Sequence, residues 1–103
     1  MLKVAINGLG RIGRTAFKIA IDKFSDKLEI VAVNDLCDAK TLAHLLKYDS
    51  NYGIWNHQVS NDSEHIIIDQ KLYKVLNEKN PSDLPWKDLN VDVVIESTGR
   101  FTK

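Results

Sequence analysis

The residues of this chain that could do chemistry begin with three glycines near the amino terminus. Gly8, Gly10 and Gly13 follow a short apolar run and form the pattern G-x-G-x-x-G. The first glycine of this pattern allows a sharp turn, the second a close approach of phosphates to the backbone, and the third tight helix packing on a sheet. The N–H groups of Arg11 and Ile12 open the predicted helix, where unpaired donors and the helix dipole favour an anion. The motif therefore predicts a pyrophosphate site.

A glycine motif of this kind is weak evidence by itself, so its surroundings decide its meaning. Residues 3–7 before it have the composition of a buried strand. Residues 11–22 after it predict a helix, because apolar side chains recur at helical spacing. These side chains form an apolar stripe of Ile12, Ala16, Ile19 and Ala20. The motif then joins a strand to a helix, as a dinucleotide site requires.

An acidic residue completes the pattern. A second apolar strand over residues 28–34 ends directly before Asp35. Asp35 follows the last glycine by about 20 residues, the separation at which an acid binds the adenosine ribose hydroxyls. The alternative interpretation is a tight strand–helix turn without a ligand, in which Asp35 only caps the next turn. The three features together favour a dinucleotide cofactor.

The remaining elements must hold these residues at one edge of a sheet. Asp38 is the expected N-cap of a helix ending near residues 47–48. Further patterns predict strands near 58–60, 66–68, 72–76 and 91–96, a hairpin turn at 69–71 and a helical turn through 80–89. The order predicts an α/β fold, the first half of a Rossmann-type doubly wound parallel sheet with a small antiparallel meander. Right-handed crossovers place the first strand between the second and the last.

Composition limits the classes of function. The chain has 103 residues, enough for one small domain, with 14 Lys plus Arg against 14 Asp plus Glu. This balance indicates neither nucleic acid nor a membrane surface as a partner. No stretch has the length of a membrane span or the arrangement of a signal peptide. The single cysteine, Cys37, excludes an internal disulfide and suits a reducing cytoplasm.

Four segments carry a specific family resemblance. They are AINGLGRIGR at residues 5–14, VAVNDL at 31–36, LAHLLKYDS at 42–50 and ESTGRFTK at 96–103. In order and spacing they resemble the N-terminal part of glyceraldehyde-3-phosphate dehydrogenase, and the similarity covers essentially the whole chain. The resemblance implies a phosphorylating, NAD-dependent oxidoreductase of glycolysis, a cytoplasmic homotetramer. Residues 1–103 would be the N-terminal portion of its NAD-binding domain, without the catalytic domain.

The resemblance also implies roles for individual residues. The backbone of Arg11 and Ile12 would bind the pyrophosphate, and Asp35 the adenosine ribose. Lys79 would stand beside the adenine, at a position where many relatives have arginine, and Phe101 is similar to the family's aromatic residue there. The loop after the last strand would complete the cofactor site with Ser97, Thr98 and Gly99. Simple packing and solvation are the alternative for Lys79 and Phe101.

No catalytic or metal-binding residue is predicted within this chain. The family's reactive cysteine and its paired histidine belong to a part of the enzyme beyond residue 103. Cys37 is interpreted as a bystander, although a position near a helix start could lower the pKa of its thiol. The histidines His44, His57 and His65 show neither metal-ligand spacing nor a partner, and Trp55 and Trp86 are interpreted as packing residues.

Three further functions stay open at this stage. A dehydrogenase of another phosphorylated aldehyde, such as erythrose 4-phosphate, would share these residues. The chain could instead act as a stand-alone nucleotide-binding or interaction module. It could also contribute only to self-association, through the region around residues 48–53, which by resemblance lies near subunit contacts. In each case the chain alone is expected to have no dehydrogenase activity.

Overall fold

The computed structural model describes residues 1–48, 55–80 and 83–97. Two helices and six strands form within these ranges. In chain order they are β1 (Leu2–Asn7), α1 (Arg11–Lys23), β2 (Leu28–Asn34), α2 (Ala39–Tyr48), β3 (Val59–Asn61), β4 (His65–Ile68), β5 (Lys71–Leu76) and β6 (Val93–Glu96). The apolar strands predicted from the sequence are confirmed, with small shifts at their ends.

All six strands belong to one sheet in the order β3-β4-β5-β2-β1-β6. Strand β1 pairs in parallel with both β2 and β6, which confirms its predicted central place. The meander is not a separate unit, because β5 pairs in parallel with β2 and thereby extends the same sheet. The predicted α/β architecture with an antiparallel meander is confirmed, and four parallel strand ends meet at one edge.

The hairpin between β4 and β5 is tighter than predicted. Ile68 pairs with Lys71, so the turn contains only Asp69 and Gln70, and Lys71 already belongs to the strand. Both turn residues have positive φ, 49° and 75°. Such angles match the turn to the right-handed twist of the two strands, although neither residue is a glycine.

The buried face of α1 matches the predicted stripe only in part, since Ala16 is half-buried and Ala20 packs against the core. Ile12 and Ile19 are 73% and 43% exposed, whereas Gly13 and Phe17 are buried. The helix is rotated about its axis relative to the predicted orientation, because Gly13 has no side chain and packs closely against the loop after β1. Phe17 then enters the core in edge contact with the rings of Trp55 and Tyr73, at centroid distances of 6.4 and 5.2 Å.

Helix α2 begins as predicted. The Asp38 carboxylate accepts a hydrogen bond from the Thr41 backbone N–H at 2.8 Å, which satisfies one of the unpaired donors of the first turn. Hydrogen bonding to the side chain of Thr41, followed by this backbone bond, lowers the pKa of Asp38. The helix buries Ala39, Leu42, Ala43 and Leu46 in the same apolar cluster as Phe17 and Trp55.

The segment before the last strand consists of turns. Residues 83–92 form no α-helix, but the Leu89 N–H donates to the Pro85 carbonyl and the Val91 N–H to the Trp86 carbonyl. Asp92 lies outside β6, yet its N–H donates to Lys3 O at 2.7 Å and its carboxylate accepts from Lys3 N at 2.8 Å. Trp55 is buried and Trp86 half-buried, in agreement with a packing role.

Neither helix in the described part of the chain is long and apolar enough to cross a membrane.

Candidate functional site

The candidate site lies where the four parallel strands end. After β1 comes the glycine motif, after β2 comes Asp35, after β5 comes the segment 77–79, and after β6 comes Ser97. Loops at the carboxyl ends of parallel strands form the ligand crevice of open α/β sheets. The topology therefore brings together the residues that sequence reasoning had selected from separate parts of the chain.

The three glycines of the motif have different structural requirements. Gly8 has a φ of 94°, which residues with a side chain rarely adopt. A Cβ on Gly13 would lie 2.1 Å from the Gly8 carbonyl oxygen and 2.7 Å from Ser97 Oγ, so only glycine fits. A Cβ on Gly10 would meet no atom of the described residues within 4 Å. Backbone conformation therefore explains Gly8 and close packing explains Gly13, while the described residues leave open space at Gly10.

The start of α1 is open to an anion. Gly10 is the N-cap and supplies no side-chain hydrogen bond, and the first turn carries no acidic residue. Arg11 and Ile12 are exposed at this turn. The Arg14 guanidinium donates to the Leu9 carbonyl at 3.1 Å, which keeps a positive charge beside the loop. Unpaired N–H groups, the helix dipole and this charge all suit a pyrophosphate.

Asp35 is tied to the glycine motif. Its Oδ2 accepts the Leu9 backbone N–H at 2.7 Å, and its Oδ1 accepts the Cys37 backbone N–H at 3.0 Å. The second bond caps the turn after β2, as expected from the alternative interpretation in which Asp35 has no ligand. A carboxylate has about four acceptor positions, so two contacts leave capacity for hydroxyl donors. Capping and ligand binding are therefore compatible at Asp35.

Sequence reasoning missed a polar network beneath these loops. Asn7 and Asn34 end β1 and β2 and are only 4% and 5% exposed. The Asn34 amide donates to Asn7 Oδ1 at 2.9 Å, and the Asn7 amide donates to both carboxylate oxygens of Glu96 at 3.0 and 2.9 Å. The signal in the sequence was an asparagine at the end of each apolar strand. The network holds the ends of β1, β2 and β6 together.

Hydrogen bonds from two asparagines hold the segment after β5 in place. Asn34 donates to the Glu78 carbonyl at 3.0 Å and accepts the Glu78 N–H at 2.9 Å. The side-chain amide of Asn77 donates to the carbonyl oxygens of Asp35 and Cys37. Lys79 follows directly and is exposed. The structure thus places Lys79 on the strand end next to the one that carries Asp35.

Ser97 joins the last strand to the motif. Its N–H donates to Asn7 O at 2.9 Å, and its hydroxyl donates to Gly8 O at 2.5 Å. It therefore lies at the predicted edge of the sheet. The other predicted residues of this loop, Thr98, Gly99 and Phe101, lie outside the described residues.

The position of Cys37 near a helix start does not lower the pKa of its thiol. Partial burial of the thiol, followed by the negative charge of Asp35, raises the pKa of Cys37. A raised pKa lowers the thiolate fraction at neutral pH. Within residues 1–48, 55–80 and 83–97, no group of three metal-ligating side chains is close enough to hold an ion.

The expectation that the histidines have no partner is wrong. His57 Nδ1 lies 2.5 Å from an Asp69 oxygen and Nε2 lies 2.6 Å from an Asp22 oxygen. His65 contacts the Asp62 carboxylate at 2.9 Å. Asp69 lies in the turn that precedes β5, so the His57 contacts belong to the opposite edge of the sheet from the candidate site. They are structural bonds between elements.

The fold and the site together define a dinucleotide-binding α/β domain of the Rossmann type. The sequence profile described as glyceraldehyde 3-phosphate dehydrogenase, NAD binding domain, matches residues 2–103. The chain belongs to this family, and its cofactor is NAD.

Curated relatives agree with this assignment. The chain is 53% identical over 103 residues to glyceraldehyde-3-phosphate dehydrogenase 1 of Bacillus cereus. The aligned residues make up 100% of this chain and 30% of that protein. It is 54% identical over 101 residues to the glyceraldehyde-3-phosphate dehydrogenase of Thermotoga maritima, covering 98% of this chain and 30% of the relative. The enzyme of Geobacillus stearothermophilus is 50% identical over 102 residues, covering 99% of this chain and 30% of that relative. The chain spans about 30% of the length of these relatives.

Proposed function

We propose that residues 1–103 are the N-terminal portion of the NAD-binding domain of a phosphorylating glyceraldehyde-3-phosphate dehydrogenase, and that they bind the adenosine and pyrophosphate parts of NAD. The hydrogen bond from Leu9 N to Asp35 Oδ2 carries this proposal, because it couples the phosphate-binding motif to the ribose-binding acid. Membership of the NAD-binding family supports it.

The residues present fit the adenosine diphosphate part of the cofactor. The N–H groups at Arg11 and Ile12 would bind the pyrophosphate at a helix start that carries no acidic residue. The described residues leave open space at Gly10, so phosphates can approach the backbone there. Asp35 would accept the ribose hydroxyls, and Lys79 would lie beside the adenine. Ser97, Thr98, Gly99 and Phe101 would complete the site from the loop after β6.

The charge at Asp35 should make the site selective for NAD over NADP. A carboxylate accepts hydrogen bonds from two ribose hydroxyls but repels a 2′-phosphate. Its neighbours in sequence, Asn34 and Leu36, carry no positive charge to compensate. In the complete natural polypeptide carrying these residues, Asp35→Ala should weaken NAD binding and narrow the difference between the two cofactors. Asp26→Ala, an exposed residue before β2, is the control. Equal affinity of the unmodified protein for both cofactors would contradict the proposal.

The complete protein is proposed to oxidise and phosphorylate glyceraldehyde 3-phosphate as a cytoplasmic homotetramer. NAD would serve as the hydride acceptor. The 103-residue chain alone should be inactive, because the resemblance places the reactive cysteine and its paired histidine outside these residues. Incubation with the aldehyde, phosphate and NAD should give no NADH absorbance. Turnover that survives removal of any full-length enzyme would contradict this. A comparison of glyceraldehyde 3-phosphate with erythrose 4-phosphate, using the complete polypeptide, tests the substrate.

A further inference from the structure

We propose that Asn77 is a positioning residue for cofactor selectivity, because its amide holds the loop that carries Asp35. The proposal rests on the proposed function above, in which Asp35 binds the adenosine ribose. Asn77 itself is not assigned a contact with NAD. It acts through the backbone of residues 35–37.

The amide of Asn77 forms a two-pronged contact. Its Nδ2 lies 2.7 Å from the carbonyl oxygen of Asp35 and 2.9 Å from the carbonyl oxygen of Cys37. Both partners can only accept hydrogen bonds, so the NH₂ group and not the amide oxygen must face them. One side chain therefore fixes both ends of a three-residue turn.

This contact continues the pairing of two strands beyond their ends. Asn34 of β2 is in register with Leu76 of β5, and the Asp35 N–H donates to Leu76 O at 2.9 Å. Past this point the two backbones no longer pair as strands. The side chain of Asn77 replaces the missing ladder bonds, because it reaches from the residue after β5 to the turn after β2.

The backbone next to Asn77 is bound to the buried end of β2. The backbone of the next residue, Glu78, forms two hydrogen bonds with the buried side-chain amide of Asn34. Its N–H donates to Asn34 Oδ1 at 2.9 Å, and its carbonyl accepts from Asn34 Nδ2 at 3.0 Å. Asn34 in turn donates to Asn7 at the end of β1. The contact therefore connects the turn at residues 35–37 to the core of the sheet.

The orientation of the Asp35 carboxylate depends on this turn. Its Oδ1 is bound to the N–H of Cys37 within the turn, and its Oδ2 to the N–H of Leu9 in the glycine motif. While the turn is fixed, the carboxylate cannot rotate away from an incoming ligand without breaking these bonds. A fixed carboxylate binds ribose hydroxyls without ordering cost and repels a 2′-phosphate. If the turn is looser, ordering the carboxylate costs free energy, so the ribose hydroxyls bind more weakly. The repulsion of a 2′-phosphate also decreases.

The test compares Asn77→Ala and Asn77→Leu with Asn61→Ala in the complete natural polypeptide. Leucine keeps the approximate size of asparagine but has no donor. Asn61 is an exposed asparagine on β3, where its amide also donates to a carbonyl, that of Asp62, but at the far edge of the sheet. Dissociation constants for NAD and for NADP are measured by calorimetry, and thermal unfolding confirms that each variant is folded.

We expect both Asn77 variants to bind NAD about fivefold more weakly, the loss of one to two modest hydrogen bonds. NADP binding should change by less than about twofold, so the selectivity ratio falls. Asn61→Ala should leave both constants unchanged. A purely structural role would weaken both cofactors equally, and that result would overturn the positioning role, as would no change at all. Failure of the unmodified protein to bind NAD would instead overturn the proposed function and this inference with it.

Discussion

The carbonyl oxygen of Gly8 lies 2.1 Å from the position that a Cβ on Gly13 would occupy. The glycine loop and the first turn of α1 are therefore in direct backbone contact. Ser97 joins the same point, because its hydroxyl donates to that carbonyl oxygen at 2.5 Å. Three separate parts of the chain converge here, and they do so only because residue 13 has no side chain.

This contact predicts opposite results for two glycines of one motif. Gly13→Ala should lower the free energy of unfolding by about 3 kcal/mol, since backbone atoms must move to admit the methyl group. Gly10→Ala should leave folding nearly unchanged, because the described residues leave open space there, yet weaken NAD binding at least about tenfold. Denaturant unfolding and NAD titration of the complete polypeptide measure both. Unfolding of both variants to the same extent would contradict the assignment.

The bridge made by His57 predicts a dependence of stability on pH. Hydrogen bonding to Asp69, followed by that to Asp22, raises the pKa of His57 against the opposing effect of burial. A raised folded-state pKa means that protonation favours the folded form. The stabilisation is therefore complete below the ordinary value of 6.5 and is lost as pH rises through the folded-state pKa.

Thermal unfolding of the complete polypeptide between pH 6 and pH 9 checks this. The melting temperature should fall with rising pH, and His57→Gln should remove most of that slope. The matched control is His44→Gln, an exposed histidine of α2 whose ring contacts that of Tyr48. Equal slopes for the unmodified protein and His57→Gln would show that the bridge does not hold a proton. Hydrogen bonding to His57 lowers the pKa of Asp69. The contribution of this carboxylate to folding stability is therefore lost as pH falls through its folded-state pKa.

The hairpin turn predicts a stabilising substitution. Gln70 has a φ of 75°, a conformation that disfavours any residue with a Cβ. Gln70→Gly should raise the free energy of unfolding by about 0.5–1 kcal/mol, after allowance for the greater freedom of glycine when unfolded. Gln70→Ala keeps the Cβ and serves as the control. If alanine stabilised as much as glycine, backbone strain at this position would not be the cause.

The edge of the sheet predicts association of the isolated 103-residue chain. In the described part of the chain β6 pairs with β1 alone, and Val93 at its start is 41% exposed. An apolar edge strand is a template for another strand. Light scattering should show an apparent mass that rises with concentration, and Val93→Lys should reduce the rise. Leu72→Lys, on the interior strand β5, is the control. A monomer at all concentrations would contradict this prediction.

Local patterns in the sequence were sufficient for most elements of the fold and for the first site residues. The apolar runs at 3–7 and 28–34 predicted parallel strands, Asp38 predicted a helix cap, and the glycine motif predicted the phosphate loop. These features depend on neighbouring residues, whose propensities and spacing act within a few positions along the chain. The sequence also indicated that Asp35 would follow the second strand at the edge of the sheet.

Tertiary structure alone decided the contacts between distant residues. Asn7 meets Glu96, Asn77 meets the turn after β2, and His57 lies between Asp22 and Asp69. It also decided that Gly13 and Phe17, and not Ile12 and Ile19, form the buried face of α1. The predicted stripe and the buried face overlap at Ala20, and packing decides how the helix is rotated about its axis. The glycine face permits the closest approach to the sheet, and close packing contributes more than the number of apolar residues on the stripe.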